Sequence, residues 1–243
     1  MLMLHHDSAP VTDATLAELP APLPCGPYHH PVPHCVLVRG LKVAALAHGY
    51  VVTRQQLGLN GSGHQLFGVM DLLPPPSVAR ADDRGFSIGF RNSTDESLAI
   101  RLVAGVRVVV CDNLALSGDL IALKRRNTTG LDLEAALTEG FERYLLHARE
   151  LDRQVTEMQH TPLSAEEAKA RLVDLFTTKV LPLRLFLPVA RYYFNPDESM
   201  PDCQPSTRWG LLNACTRAIK RLSPARAFEA NIALGHAFGL SAM

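Results

Sequence analysis

From Tyr50 onward the hydrophobic period of this chain changes once and does not change back. Between Tyr50 and about residue 112 the apolar residues fall into short runs, several with two-residue spacing; beyond residue 131 they recur every third or fourth position. The first pattern marks strands and the second marks amphipathic helices. A parallel doubly wound sheet needs the two to alternate, because each parallel crossover carries a helix. A single change instead predicts an α+β fold: a mostly antiparallel sheet over about 50–112, with a C-terminal set of helices packed against one face.

The strands are bounded by turn chemistry. Tyr50–Leu59 and His64–Leu73 flank Asn60-Gly61-Ser62-Gly63, and Asn-Gly favours positive φ, so this reads as a hairpin. Glycines 58, 61 and 63 do not make a phosphate loop, since His64 opens a strand and no Lys-Ser or Lys-Thr pair opens a helix. Phe86, Ile88 and Phe90 alternate with Ser87, Gly89 and Arg91. After the polar turn at 92–96, Leu98, Ile100 and Leu102 form another strand. Gly105–Cys111 is almost continuously apolar, as for a strand covered on both faces, but Arg107 interrupts it and calls for an anionic or carbonyl partner. Asp112 and Asn113 stand at its end, where such residues commonly cap a following turn or short helix.

With 243 residues the chain is long enough for one domain with a sizeable core. Residues 1–35 hold seven of the 17 prolines and five of the ten histidines, and read as an extended arm; 36–243 reads as a single α+β domain, strand-rich over 36–120 and helical over 121–243. Cys25, His29, His34 and Cys35 are metal-ligand types, but their spacing and interleaved prolines fit no tetrahedral framework. We therefore expect no metal and no cofactor. The five scattered cysteines, the lack of an apolar run of membrane-spanning length and the lack of a basic-then-apolar leader point to a cytoplasmic protein without a membrane partner.

In the helical half, Leu137, Phe141, Tyr144, Ala148, Leu151, Val155 and Met158 form a seam at alternating four- and three-residue spacings on a helix over about 131–160. Such a seam serves either the chain's own core or a homo-oligomer. Ser164-Ala-Glu-Glu167 is a capping-box pattern opening a helix over 164–180; Ser206 or Thr207 caps another through Leu222, and Pro224 starts a last one. Two local basic patches interrupt an otherwise neutral net charge: Lys124, Arg125 and Arg126, and then Arg208, Arg217, Lys220 and Arg221 beside the single Trp209. Cationic side chains next to an aromatic ring suit single-stranded nucleic acid, but a solvated helix face with snorkelling arginines is the favoured reading.

Phe86-Ser-Ile-Gly-Phe-Arg91-Asn92-Ser93-Thr94-Asp95-Glu96-Ser97, then Gly105-Val-Arg-Val-Val-Val-Cys111-Asp112-Asn113-Leu114-Ala115-Leu116-Ser117-Gly118, and finally Trp209-Gly-Leu-Leu-Asn213-Ala214-Cys215-Thr216 resemble the family called domain of unknown function 932. The likeness covers roughly residues 40–240, with Thr94 and Glu96 standing where histidine and lysine are expected in close relatives, and Cys215 where valine is common. The resemblance implies a phage- or plasmid-like protein working near nucleic acid, and implies no reaction.

Arg91, Asn92, Asp95, Arg107, Asp112 and Asn113 are the candidate polar cluster, expected to converge where neighbouring strands end. Three functions remain open on these residues. One is a non-enzymatic nucleic-acid-associated factor, handling single strands in recombination or element maintenance, with weak and salt-sensitive binding because the net charge is zero. Another is an enzyme acting on a small anionic substrate through that cluster. The third is a defence or counter-defence factor that binds another protein.

Overall fold

A computed structural model describes residues 8–76, 84–108, 114–197, 203 and 206–240. Its centre is an antiparallel meander of six strands in sequence order: β1 (Ser8–Val11), β2 (Val51–Asn60), β3 (Gln65–Leu73), β4 (Arg84–Ser93), β5 (Ile100–Val108) and β6 (Leu114–Arg125). The hairpin expected at Asn60–Gly63 joins β2 to β3: Leu59 pairs with Leu66, and Asn60 Oδ1 accepts the Gln65 N–H at 3.0 Å across the turn. Gly63 sits at φ +75°, the left-handed backbone that such a turn requires.

Side-chain alternation sorts the strands into two faces. Leu66, Met70 and Leu72 of β3, Phe86, Ile88 and Phe90 of β4, and Ile100, Leu102 and Ala104 of β5 belong to the main core. Gly68 lies on this face because the Phe90 ring occupies the space of a Cβ: an added methyl would meet Cζ at 2.3 Å. Against this face pack α2 (His34–Ala47) and α3 (Leu133–His160). Asp132 caps α3 by accepting the Ala135 N–H. Every seam residue from Leu137 to Met158 is buried within the chain, so this stripe serves the core of the chain itself.

The other helices are α1 (Asp13–Ala17), α4 (Ala165–Thr177), α5 (Phe186–Phe194), α6 (Arg208–Ile219) and α7 (Pro224–Ala237). Ser164 and Glu167 form the expected capping box at α4. In α6 every residue except Arg208 and Arg217 is buried, which makes it the centre of the helical layer rather than a one-faced helix.

Three expectations differ from this architecture. The helices do not keep to one face: α7 crosses to the second, where Phe228 and Ile232 pack on Phe67, Val69 and Val103. The stretch from Leu114, expected to begin a turn or helix after Asp112 and Asn113, is the strand β6, because pairing with β5 satisfies a whole row of backbone groups where a cap would satisfy one or two. The segment from residue 36, expected to be strand-rich, opens on α2, whose buried positions 34, 37, 38, 41, 44 and 45 follow helical spacing. The N-terminal arm packs on the body: β1 extends the sheet, and Leu16, Val32 and His34 are buried.

Candidate anion-binding site

The second face of the sheet carries a row of cations at its β4–β6 side. Arg91 on β4 pairs across the ladder with Arg101 on β5, and Arg101 pairs with Lys124 on β6. Three like charges placed directly opposite one another repel, an arrangement that a sheet holds only with compensation. Part of it comes from α7: Glu229 accepts a short bond from Arg91 Nη1, and Arg101 Nη1 reaches both of its carboxylate oxygens at 3.2 Å. Arg91 also stands 5.5 Å over the ring of Phe228. It is only 7% exposed, and burial, reinforced by Arg101 and opposed by Glu229, lowers its pKa from the ordinary value. A guanidinium so placed still stays charged.

Beside this row opens a cavity of 470 Å³, lined by Arg91, Arg101, Lys124 and Arg126 together with Tyr28, Glu96, Ser97 and Asn127. Three of its lining side chains hold buried polar atoms without a hydrogen-bond partner: Nε of Arg91, Nε of Arg101 and Oδ1 of Asn127. Buried polar groups are ordinarily satisfied, at a cost of about 1–3 kcal/mol for each that is not. All three atoms have almost no accessible surface, so their unmet bonds belong to the packed wall; the open space itself is framed by the four cations, of which Lys124 and Arg126 are exposed.

Behind the cavity, the opposite face of β4 anchors it. Asn92 Nδ2 donates to Val32 O at 2.8 Å and to His34 Nδ1 at 3.1 Å. Asn127 Nδ2 donates to Asn92 Oδ1 at 3.0 Å and to Ser93 O at 2.6 Å. His34 Nε2 lies 3.2 Å from Gly63 O, so the imidazole is neutral with its proton on Nε2. This network ties the N-terminal arm, the β2–β3 turn and the end of β6 into one frame, and it fixes Asn127 at the cavity wall.

Burial is the first cause of a lowered His34 pKa; the charge of His64 adds to it, while Gly63 and Asp95 oppose it. The unfolded chain then binds a proton more readily than the folded one, and stability is present above the unfolded value of about 6.5 and lost as pH falls through it. The melting temperature should drop between pH 7 and pH 5. His147 is shifted in the same direction, by burial and Arg143. The His34 share is therefore the part of the drop that His34→Gln abolishes; an unchanged pH profile in that variant would refute the assignment.

The six candidate cluster residues do not all meet. Arg91 and Asn92 point to opposite faces of β4 and belong to the separate networks just described, as the pleat requires. Asp95 closes the β4–β5 turn, accepting from Ser97 N at 3.1 Å and Ser97 Oγ at 2.5 Å. The side chain of Arg107, together with Asp112 and Asn113, lies outside the described residues. Of the first basic patch, Lys124 and Arg126 line the cavity, whereas Arg125 turns to the other face and bonds Glu139 on α3 at 2.8 Å. In the second patch Trp209 is a core residue, and Arg208 donates to Phe238 O at 3.0 Å. Arg217 and Arg221 instead stack on Tyr192 of α5, each 5.7 Å from the ring, and Lys220 between them is the C-cap of α6.

Arg101, Tyr28 and Glu229 carry no motif of their own. The signal for Arg101 is register: the turn after Ser93 sets Arg91 opposite it. Among the described residues no group of three or more His, Cys, Asp or Glu side chains is arranged to hold a metal ion, and no helix is long and apolar enough to cross a membrane.

The fold and cavity thus define an α+β protein with a cationic, partly enclosed site on one face of an antiparallel sheet. The chain belongs to the family described as Domain of unknown function (DUF932), whose model matches residues 26–238. No curated protein and no solved structure matches it.

Proposed function

We propose that this chain is a nucleic-acid-associated binding protein that holds single-stranded nucleic acid at the cavity beside Arg91 and Arg101. The observation that carries this reading is the nearly buried Arg91–Arg101 pair beside a cavity that Lys124 and Arg126 make more positive. Tyr28, 77% exposed at the rim, offers a ring on which a base can stack. Four of the five charged side chains in the lining are guanidinium or ammonium groups, which bind anions and do not readily take or give up protons, and Glu96 is the one carboxylate among them, so binding is favoured over catalysis. The phage- and plasmid-like character of the family resemblance agrees with single-strand handling in recombination or element maintenance. Self-association through α3 would have to use its outward side, where Leu146 is exposed.

Zero net charge removes long-range steering, so affinity rests on local contacts and falls steeply with salt. Each phosphate neutralised on a single strand contributes about −0.7 to the slope of log K against log salt concentration. Titrating a fluorescent twelve-nucleotide oligo-dT across 25–200 mM salt (about the range where the effect is readable) tests this. The double variant Lys124→Ala, Arg126→Ala removes two exposed cations without disturbing the core, and should flatten the slope by roughly 1.4. An identical slope in wild type and variant would remove the cavity from the binding surface.

A further inference from the structure

Granting the reading of this cavity as a nucleic-acid site, we infer that it takes a terminal phosphate monoester, the phosphorylated end of a single strand, rather than the internal phosphodiesters of a strand passing through. Charge is the first ground. Arg91, Arg101, Lys124 and Arg126 line the cavity, Glu96 lines it with opposite sign, and Glu229 is bonded to both arginines. Four cations against two carboxylates leave a surplus of two positive charges. A phosphate monoester carries between about 1.5 and 2 negative charges at neutral pH, and an internal diester carries one. The surplus matches the monoester.

Shape is the second ground. A volume of 470 Å³ lies within the range of small-molecule sites, and holds a nucleotide rather than a run of them. The arginines stand side by side across the β4–β5 ladder, both nearly buried and both lining the cavity. Guanidinium groups grip phosphate oxygens through pairs of parallel N–H bonds. A monoester has three terminal oxygens to offer two such forks, whereas a diester has two non-bridging ones. Tyr28 stands at the rim, where the base of the same nucleotide can reach it. Binding here is non-covalent and requires no further reactant.

The experiment measures binding of the full chain to three fluorescent oligo-dT strands of identical length, bearing a 5′-phosphate, a 3′-phosphate or hydroxyls at both ends. Thymidine monophosphate and thymidine serve as free competitors. The expected result is binding at least about tenfold tighter for one phosphorylated end than for the hydroxyl-ended strand. The monophosphate should compete and thymidine should not. Arg101→Ala should erase the preference for the phosphorylated end, its folded state checked by thermal melting. Equal, measurable binding of all three strands would overturn the terminal-phosphate inference and leave the nucleic-acid reading standing. Binding of free thymidine monophosphate with no strand binding would uphold the monoester site and overturn the strand. Binding of none of the probes would overturn both.

Discussion

Asn92→Ala should lower the unfolding free energy by about 3–5 kcal/mol, read as a fall in the urea midpoint at constant m-value. The side chain is fully buried and serves three partners from two distant parts of the chain: Val32 O and His34 Nδ1 in the N-terminal arm, and Asn127 Nδ2 beyond β6. Removing it leaves a carbonyl and an imidazole nitrogen without their donor, and strips one of two acceptors from Asn127. Each buried group left unsatisfied costs about 1–3 kcal/mol, and the loss of the shared centre falls on all of them at once. Alanine also leaves a void that the neighbouring sheet cannot close. A loss below about 1 kcal/mol would mean that the frame is not held here.

Arg91→Ala is expected to have the opposite profile, with a small loss of stability and a large loss of ligand. Glu229 is half exposed and keeps Arg101 as a partner, so removing Arg91 strands no buried charge. Relief of the Arg91–Arg101 repulsion offsets part of the lost contact with Phe228. Binding of single-stranded DNA should nevertheless weaken by about a hundredfold, corresponding to roughly 2.7 kcal/mol, within the usual range for truncating one member of a buried charged contact. Arg91→Lys should not restore it, because a point charge cannot reproduce the fork. The measurements are anisotropy titration and thermal melting of the same preparations. Full binding by a well-folded Arg91→Ala protein would refute the site.

How far the residues alone reveal these features varies with how local the cause is. The capping box at Ser164 and Glu167, the turn at Asn60–Gly63 and the seam of α3 are each decided by contacts within a few residues or by one helical face, and each stands where the pattern puts it. β6 misleads because Asp112 and Asn113 offer a local cap signal, while the competing demand comes from the unpaired backbone of β5. α2 carries a clear helical period, yet it sits at the head of a stretch that runs as strands from Val51 to Arg125. Trp209 stands beside arginines in sequence and looks available for stacking; α6 is wrapped on all sides, and the ring is taken into the core.

The candidate site divides along the same line. Arg91, Asn92, Lys124 and Arg126 can be singled out as charged or polar residues at strand ends, but their division of labour cannot. Whether Arg91 faces the cavity and Asn92 the frame is settled by which face α2 and α3 cover, since the pleat then sends neighbouring residues to opposite sides. Arg101 joins through ladder register, Glu229 through the crossing of α7, and Tyr28 through the packing of the arm beside Asn127. By itself the sequence determined the class of fold, the long helix and most turns and caps, because these follow from periodicity and short-range hydrogen bonding. Only the tertiary structure decided which four cations share one cavity and which carboxylate restrains the two arginines among them, because charges far apart in the chain interact according to distances that packing alone sets.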